Sequence, residues 1–363
     1  MAPLGQARCT DPGGAVSAGQ DTVSSVASPL WHFTGLILAS LVILAMAAWS
    51  ATALWFQAPG GSTLRACLIA LWLLFSVATL LALYRGHAPA AGLAFAAGFA
   101  GVLLWWHSLQ PSNDRVWADD VAHTVSGAVQ GEEVTVYNVR NFDWRSPTDY
   151  IARWETRTYD LRRLRSLDLI MSYWSGPAIA HTLFSFGFAD GRRVVFSVEI
   201  RRQRSEQFSE IGGFFKEFEL SVIAADERDI IRVRTNVRGE DDYLYRIRLP
   251  ANDIRALFLA YVAQGNDLVA RPRFYNTISG NCTTLVYEML KRIVGGLPFS
   301  YQLLLTGYLP QYVHAVGGLD PRYTLEQLRV FGRITERARQ ADRSEHFSED
   351  IRRGIPPLEG IDP

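Results

Sequence analysis

The stretch Arg273–Leu290, RFYNTISGNCTTLVYEML, decides how the rest of the chain is read. It opens as a polar loop, Asn276 to Asn281, in which Gly280 allows a tight turn. It then takes on helical spacing. Leu285, Met289 and Ile293 recur every four residues, with Val286 and Leu290 beside them. Asn281 stands where an N-cap belongs, which makes Cys282 the first helical residue. Unpaired backbone N–H groups and the positive end of the helix dipole both favour a thiolate at that position. Position alone leaves two readings open: a nucleophilic cysteine, or a small buried cysteine that happens to begin a helix.

Around this stretch the chain is strongly asymmetric. Its 363 residues suffice for two domains. Between Asp21 and Asp114 the only formal charges are Arg65 and Arg85, so a net charge of zero averages an apolar block with a well-charged soluble part. Neither half points to nucleic acid. The basic residues are almost all arginine, with Lys216 and Lys291 the two exceptions. The three cysteines are Cys9 in the N-terminal tail, Cys67 in an apolar run, and Cys282. A disulfide framework does not follow from that distribution.

Residues 1–28 are rich in Gly, Ala, Ser, Asp and Pro without periodicity, and read as a disordered tail. Residues 29–110 hold three apolar runs, Trp31–Phe56, Ala66–Tyr84 and Ala88–Leu109, joined by QAPGGST and RGHAP. Each is near the length of about 20 residues that a helix needs to cross a bilayer, and tryptophans and Tyr84 cluster near the run ends as interfacial anchors do. Three transmembrane helices are expected. Arg65 and Arg85 fall on opposite sides and Arg8 tips the count, so the N-terminus is expected in the cytoplasm and the soluble domain outside.

The soluble domain is expected over residues 111–340, with a loose C-terminal tail at 341–363. Val134–Phe142, Trp154–Leu161, Leu167–Trp174, Phe215–Ala225 and Asp241–Leu249 read as strands from their β-branched and aromatic content. Ile179–Ile200 reads as a hairpin about Asp190–Gly191. His181 starts its first strand and Glu199 closes its second, roughly opposite. Residues 253–263 and the Cys282 segment read as helices, and Leu325–Arg339 as one charged helix.

A thiol attacks carbonyls well only as a thiolate and needs a base nearby. The domain's histidines are His123, His181, His314 and His346, and of these His181 lies at the mouth of the expected sheet. A strand-end histidine bonded to backbone is the alternative for His181, and periodicity does not choose. A third group should fix the imidazole tautomer. Glu199 is the candidate by hairpin register, against a surface glutamate paired with Arg201 or Arg202. Zinc-spaced Cys/His clusters, a Walker loop, a dinucleotide fingerprint and a GxSxG elbow are all missing from the sequence. No metal and no cofactor is expected. Ser185 and Ser197 lie inside strands, where a serine is a poor nucleophile.

The segments VYNVRNFDWRSPTDYIARWETRTYDL, AHTLFSFGFADGRRVVFSVEIRR, ADERDIIRVRTNVRGEDDYLYRIRLP and PRFYNTISGNCTT resemble the Lnb N-terminal periplasmic domain family, over roughly residues 125–300. The resemblance does not reach the membrane part; it implies a circularly permuted papain-like domain, an antiparallel sheet plus a nucleophile helix, so that with the three N-terminal transmembrane helices the expected fold is α+β. The histidine strand precedes the cysteine helix, and the order His181 then Cys282 agrees. It implies Cys282 as nucleophile and His181 as general base. It also implies an oxyanion donor six or seven residues before the cysteine, which gives Asn276 or Tyr275, beside the Cys282 backbone N–H. Related members include a bacterial lipoprotein N-acyltransferase. The implied activity is a membrane-anchored thiol acyltransferase of the bacterial inner membrane, its domain in the periplasm, with membrane lipids and lipoproteins as partners. The alternatives are a cysteine hydrolase, peptidase or amidase, acting on envelope protein or cell wall, and a non-catalytic envelope module.

Overall fold

The computed structural model describes residues 27–358, so the tail expected at 1–28 and Cys9 lie almost wholly or wholly outside the described residues. The chain divides into two units between Ser108 and Leu109.

The first unit is built of three helices, α1 (Ala27–Gln57), α2 (Ser62–Tyr84) and α3 (Ala88–Ser108). Their apolar spans of 25, 23 and 21 residues are long and apolar enough to cross a membrane. They pack on one another through Ile43, Trp72 and Phe95, while Leu71, Leu74, Leu93 and Leu104 face outward. The few hydroxyls are hidden by back-bonding to their own helices: Ser50 to Met46 O, Ser76 to Trp72 O and Thr79 to Phe75 O. That removes polar groups which hydrocarbon would otherwise leave unpaired. Arg65 donates from Nε to Ala58 O at 2.9 Å, just past the end of α1.

The second unit is built on an eight-stranded sheet. Its strands are β1 (Ser126–Gln130), β2 (Glu133–Arg140), β5 (Trp154–Asp160), β6 (Leu164–Tyr173), β7 (Ala180–Phe188), β8 (Arg193–Arg201), β9 (Glu219–Ala225) and β10 (Asp241–Arg246). A small separate hairpin holds β3 (Asp143–Trp144) and β4 (Tyr150–Ile151). The order is β1-β2-β9-β8-β7-β6-β10, with β5 also on β2. All neighbours are antiparallel except β2 and β9. The expected strands are all present, and Gly191, at φ 81°, supplies the left-handed residue that the hairpin turn between β7 and β8 requires.

Side chains alternate between two apolar layers. Phe184, Phe186, Phe196 and Val222 face α5 (Ala251–Ala270) and α6 (Thr284–Val294), where Phe258 and Tyr261 of α5 complete an aromatic cluster. Phe196 and Tyr261 stack at 4.9 Å between centroids. Ile170, Leu183, Val195 and Ile223 face the other way, against α4 (Glu227–Arg232) and the later helices α9 (Thr335–Ala341) and α10 (Phe347–Asp350). A π-helical turn, Val233–Arg238, continues α4 and ends at Gly239.

Two expectations are corrected here. Leu325–Arg339 is not one helix but α8 (Leu325–Gly332) and α9, and α7 (Leu309–Ala315) precedes them. The break falls where Arg333 bridges Tyr243 and Ile334 N–H donates to Asp242 O at 2.9 Å, so the chain covers the exposed edge of β10. The tail expected to be loose from 341 is packed as far as it is described. Phe347 and Ile351 are buried, and Arg352 reaches Asp168 of β6 and Glu227 of α4.

Candidate active site

The site forms where the sheet forks. β7 pairs with β6 out to Ala180↔Tyr173, and β8 with β9 out to Arg201↔Glu219, yet the β7–β8 ladder stops at Leu183↔Ser197. Past that point the two strands diverge. Continuing the register by two residues sets His181 opposite Glu199, as the hairpin reading expects.

Cys282 enters this fork from the turn before α6. The helix is assigned from Thr284, so Cys282 precedes it rather than being its first residue. The cap is nevertheless made by Asn281. Its Oδ1 accepts from the N–H groups of Thr283 and Thr284 at 2.9 and 2.8 Å, and Leu285 N–H donates to Asn281 O at 3.2 Å. Asn281 Nδ2 donates to Thr277 O at 2.7 Å, which fixes the cap to the preceding loop. The Thr182 and Thr283 hydroxyls meet across the fork at 3.4 Å.

The Cys282 thiol lies close enough to the His181 imidazole and the Thr182 backbone N–H for both to act on its ionisation, and its Sγ stands 3.9 Å from Thr283 Oγ1. The far side of the ring is held by two groups. His181 Nε2 lies 2.6 Å from Ser197 Oγ and 3.1 Å from Glu199 Oε1, and Ser197 Oγ donates to Glu199 Oε1 at 2.7 Å. With Nε2 so engaged, Nδ1 is the nitrogen left to face the sulfur. Glu199 is no surface residue, and its arginine partner is neither Arg201 nor Arg202. It meets Arg234 at 3.3 Å, and Arg234 bridges onward to Glu240 at 3.0 Å. The Ser172 hydroxyl lies within hydrogen-bond distance of both Glu240 and Asp242.

These contacts set the charge states. Burial alone would lower the His181 imidazole, but the Glu199 carboxylate outweighs it, and the group stands at about 9. Burial would raise Glu199, but His181 and then Arg234 hold it well below the usual carboxylate range. Burial would likewise raise the Cys282 thiol. Its hydrogen bond to His181, the imidazolium charge and the Thr182 N–H bring it below the ordinary cysteine value instead. All three shifts favour a thiolate–imidazolium pair at neutral pH.

The pair opens on a cleft of about 580 Å³. Its lining is partly apolar, with Trp174, Ile179, Phe208, Phe214, Leu304 and Leu305, and partly charged, with Asp120, Arg202, Arg234, Arg238 and Glu240. Tyr275 reaches the cleft, and its phenol is pushed far up by burial and then by the charges of Cys282 and Glu199, so it stays protonated as a donor. Gly213 makes room for it. A Cβ there would come within 2.4 Å of Thr277 Oγ1 and 3.3 Å of the Tyr275 ring.

Asn276 does not reach the cleft with its neighbour. Its Oδ1 closes its own loop, accepting from the Ile278 and Ser279 N–H groups at 3.0 and 2.9 Å. The turn chemistry common to asparagine prevails over an oxyanion role. Gly280 closes the same loop by paired backbone bonds with Asn276, without a left-handed φ. Of the other histidines, His123 packs edge-on against Trp154 at 5.0 Å, His314 is in α7 and His346 is exposed beside Glu349. Ser197 and Arg234 are the residues the sequence reading missed. The first is considered only as a nucleophile, and the second lies between two expected strands, in a segment to which the sequence reading assigns no element.

Among the described residues, clusters of His, Cys, Asp and Glu able to hold a metal ion are absent. The family model described as the Lnb N-terminal periplasmic domain matches residues 150–307, a span that begins later than the motifs suggest and contains His181, Glu199, Tyr275 and Cys282. Comparison with curated proteins and with solved structures gives no match.

Proposed function

We propose that this chain, which carries a Lnb N-terminal periplasmic domain at residues 150–307 behind three membrane-type helices, is a thiol acyltransferase acting on lipid acyl esters in the periplasm of a bacterial inner membrane. The single observation that supports it is the placing of Cys282, His181 and Glu199 together on one cleft, with His181 Nε2 3.1 Å from Glu199 Oε1.

In the first half-reaction the Cys282 thiolate attacks the ester carbonyl and a carbon–sulfur bond forms. Tyr275 and the Cys282 backbone N–H are the candidate donors to the developing oxyanion. The carbon–oxygen bond then breaks, and the His181 imidazolium gives its proton to the leaving alkoxide. This leaves an acyl thioester on Cys282. In the second half an amine, such as the free N-terminus of a lipoprotein, attacks the thioester. His181 takes the amine proton, and the thiolate departs. Glu199 and Ser197 keep Nε2 occupied, so Nδ1 faces the reacting atoms throughout. The apolar part of the lining suits an acyl chain, and three helices able to span a bilayer keep the domain where acyl esters are.

Water in place of the amine makes the same machinery a hydrolase. Intact-protein mass spectrometry of the full chain purified from membranes tests the proposal. An acyl mass on Cys282, lost in His181→Ala and discharged faster by an amine than by water, is the expected result. Discharge at the same rate with and without amine supports the hydrolase. A bare thiol under all conditions, with unchanged reactivity in His181→Ala, leaves a non-catalytic module.

A further inference from the structure

The charged part of the cleft lining holds one guanidinium whose acidic neighbours stand too far off. Arg140 grips Asp229 through two bonds of 2.8 and 3.0 Å, Arg234 meets Glu240 at 3.0 Å, and Arg202 meets Asp120 at 3.0 Å. Arg238 is different. Its acidic neighbours, Asp120 and Glu240, each stand at 3.8 Å, beyond hydrogen-bond reach. Those carboxylates are already committed, Asp120 to Arg202 and Glu240 to Arg234 and Ser172. The Arg238 side chain is 39% exposed, and it borders two cavities at once. One is the cysteine cleft. The other, of about 380 Å³, is also bordered by Arg202 and Arg204. Burial and the positive charge of Arg234 both lower the Arg238 pKa, as expected of a cation short of a close anion.

The geometry points to an anion subsite at Arg238 and Arg202, in the cleft that Phe208 and Leu304 also line, that takes the phosphate group of an amphiphilic ligand whose apolar chain lies against those apolar side chains. A guanidinium offers planar donors that match phosphate oxygens in pairs. The subsite extends the acyl-transfer reading, on which its choice of a lipid ligand rests, by fixing which end of the lipid faces which part of the lining.

The test uses the full chain with Cys282→Ala, in uncharged detergent, so that binding is read without turnover. Three probes are compared by titration: palmitoyl lysophosphatidylglycerol, monopalmitoylglycerol, and inorganic phosphate. The phosphate-bearing lipid is expected to bind roughly 10- to 100-fold tighter than the monoacylglycerol, the range for hydrogen bonds to a charged group. Arg238→Gln removes that preference and leaves monopalmitoylglycerol binding as it was, while Arg238→Lys keeps part of it. If Arg238→Gln loses both lipids, Arg202→Gln decides in the same assay. Inorganic phosphate that displaces the lysolipid, and binds as tightly itself, supports the subsite but assigns it to free phosphate. Equal affinity for the two lipids, or a preference that survives both arginine variants, overturns the proposal. A preserved preference with no acyl adduct on Cys282 in the unmutated chain leaves the subsite standing and removes the acyl-transfer reading.

Discussion

One face of the sheet carries two buried charge networks, and only one of them borders an opening. At the forked end, His181, Glu199, Arg234 and Glu240 run in series from a cysteine that lies on a cleft. At the other end Arg352 bridges Asp168 at 2.7 Å and Glu227 at 2.5 Å, with Arg193 also on Asp168 at 3.0 Å. Leu183, Ile170 and Val195 separate the two. Both networks contain perturbed carboxylates, since Glu227 is held down to about 2, where burial is outweighed by Arg352. A shifted pKa therefore does not single out a reactive centre. The far network is enclosed, its Asp168, Glu227 and Arg352 side chains at most 6% exposed, and what it holds in place is the C-terminal segment. The near network has a thiol at its end and a cleft of about 580 Å³ beside it. Charge arranged to fasten and charge arranged to react differ in access, not in burial.

The contrast can be broken most severely at His181. In His181→Ala, acyl-adduct formation on Cys282 should fall on the order of 10² to 10⁴-fold, the range for loss of a positioned acid–base group. Thermal unfolding should move far less. The mirror experiment is Arg352→Ala, which strands the buried Glu227 carboxylate and leaves Asp168 with Arg193 alone, and should cost about 3–5 kcal/mol of stability, read from denaturant unfolding. Iodoacetamide reactivity of Cys282 per folded molecule should be unchanged. A loss of reactivity without a loss of stability would mean that the far network serves the site. Glu199→Gln sharpens the near side. It removes the charge that raises His181, so the alkaline edge of Cys282 reactivity should move to lower pH, with adduct formation reduced roughly tenfold. The smallest effect belongs to Asn276→Ala, expected to cost about 1 kcal/mol from the lost turn bonds and to leave reactivity intact. A tenfold slower acylation there would restore its oxyanion role.

What the sequence revealed, and what it hid, follows the same division. Strands are legible because their apolar faces alternate locally, and the hairpin at Asp190–Gly191 carries its register with it, so His181 and Glu199 could be paired from spacing alone. The three membrane-length runs are legible from length and lack of charge. Asn281 is legible as a cap, though the helix is assigned two residues beyond Cys282. By contrast, 226–238 and 341–358 are rich in Arg, Asp and Glu, which in isolation reads as solvated chain. Their burial rests on partners far away in sequence, Arg234 with Glu199 and Arg352 with Asp168. Local pattern carries no trace of such pairing. The fork that frees Thr182 N–H for the sulfur is likewise a property of where ladders stop, which residue types do not announce.

The most direct measurement is the pH dependence of Cys282 alkylation by iodoacetamide in the full chain, with peptide mass spectrometry to count that site alone. A folded-state histidine raised to about 9 contributes stability to the pair that is fully present below its ordinary value near 6.5 and is lost as pH rises through about 9. The cysteine, lowered from its ordinary value by His181 and the Thr182 N–H, should ionise at lower pH than a free thiol. Alkylation is expected to begin below the ordinary thiol range and to show a second step near pH 9, where the imidazolium loses its proton. A single rise centred at the ordinary thiol value, with no reactivity below it, would contradict the ion pair and with it the reading of this fork as an active site.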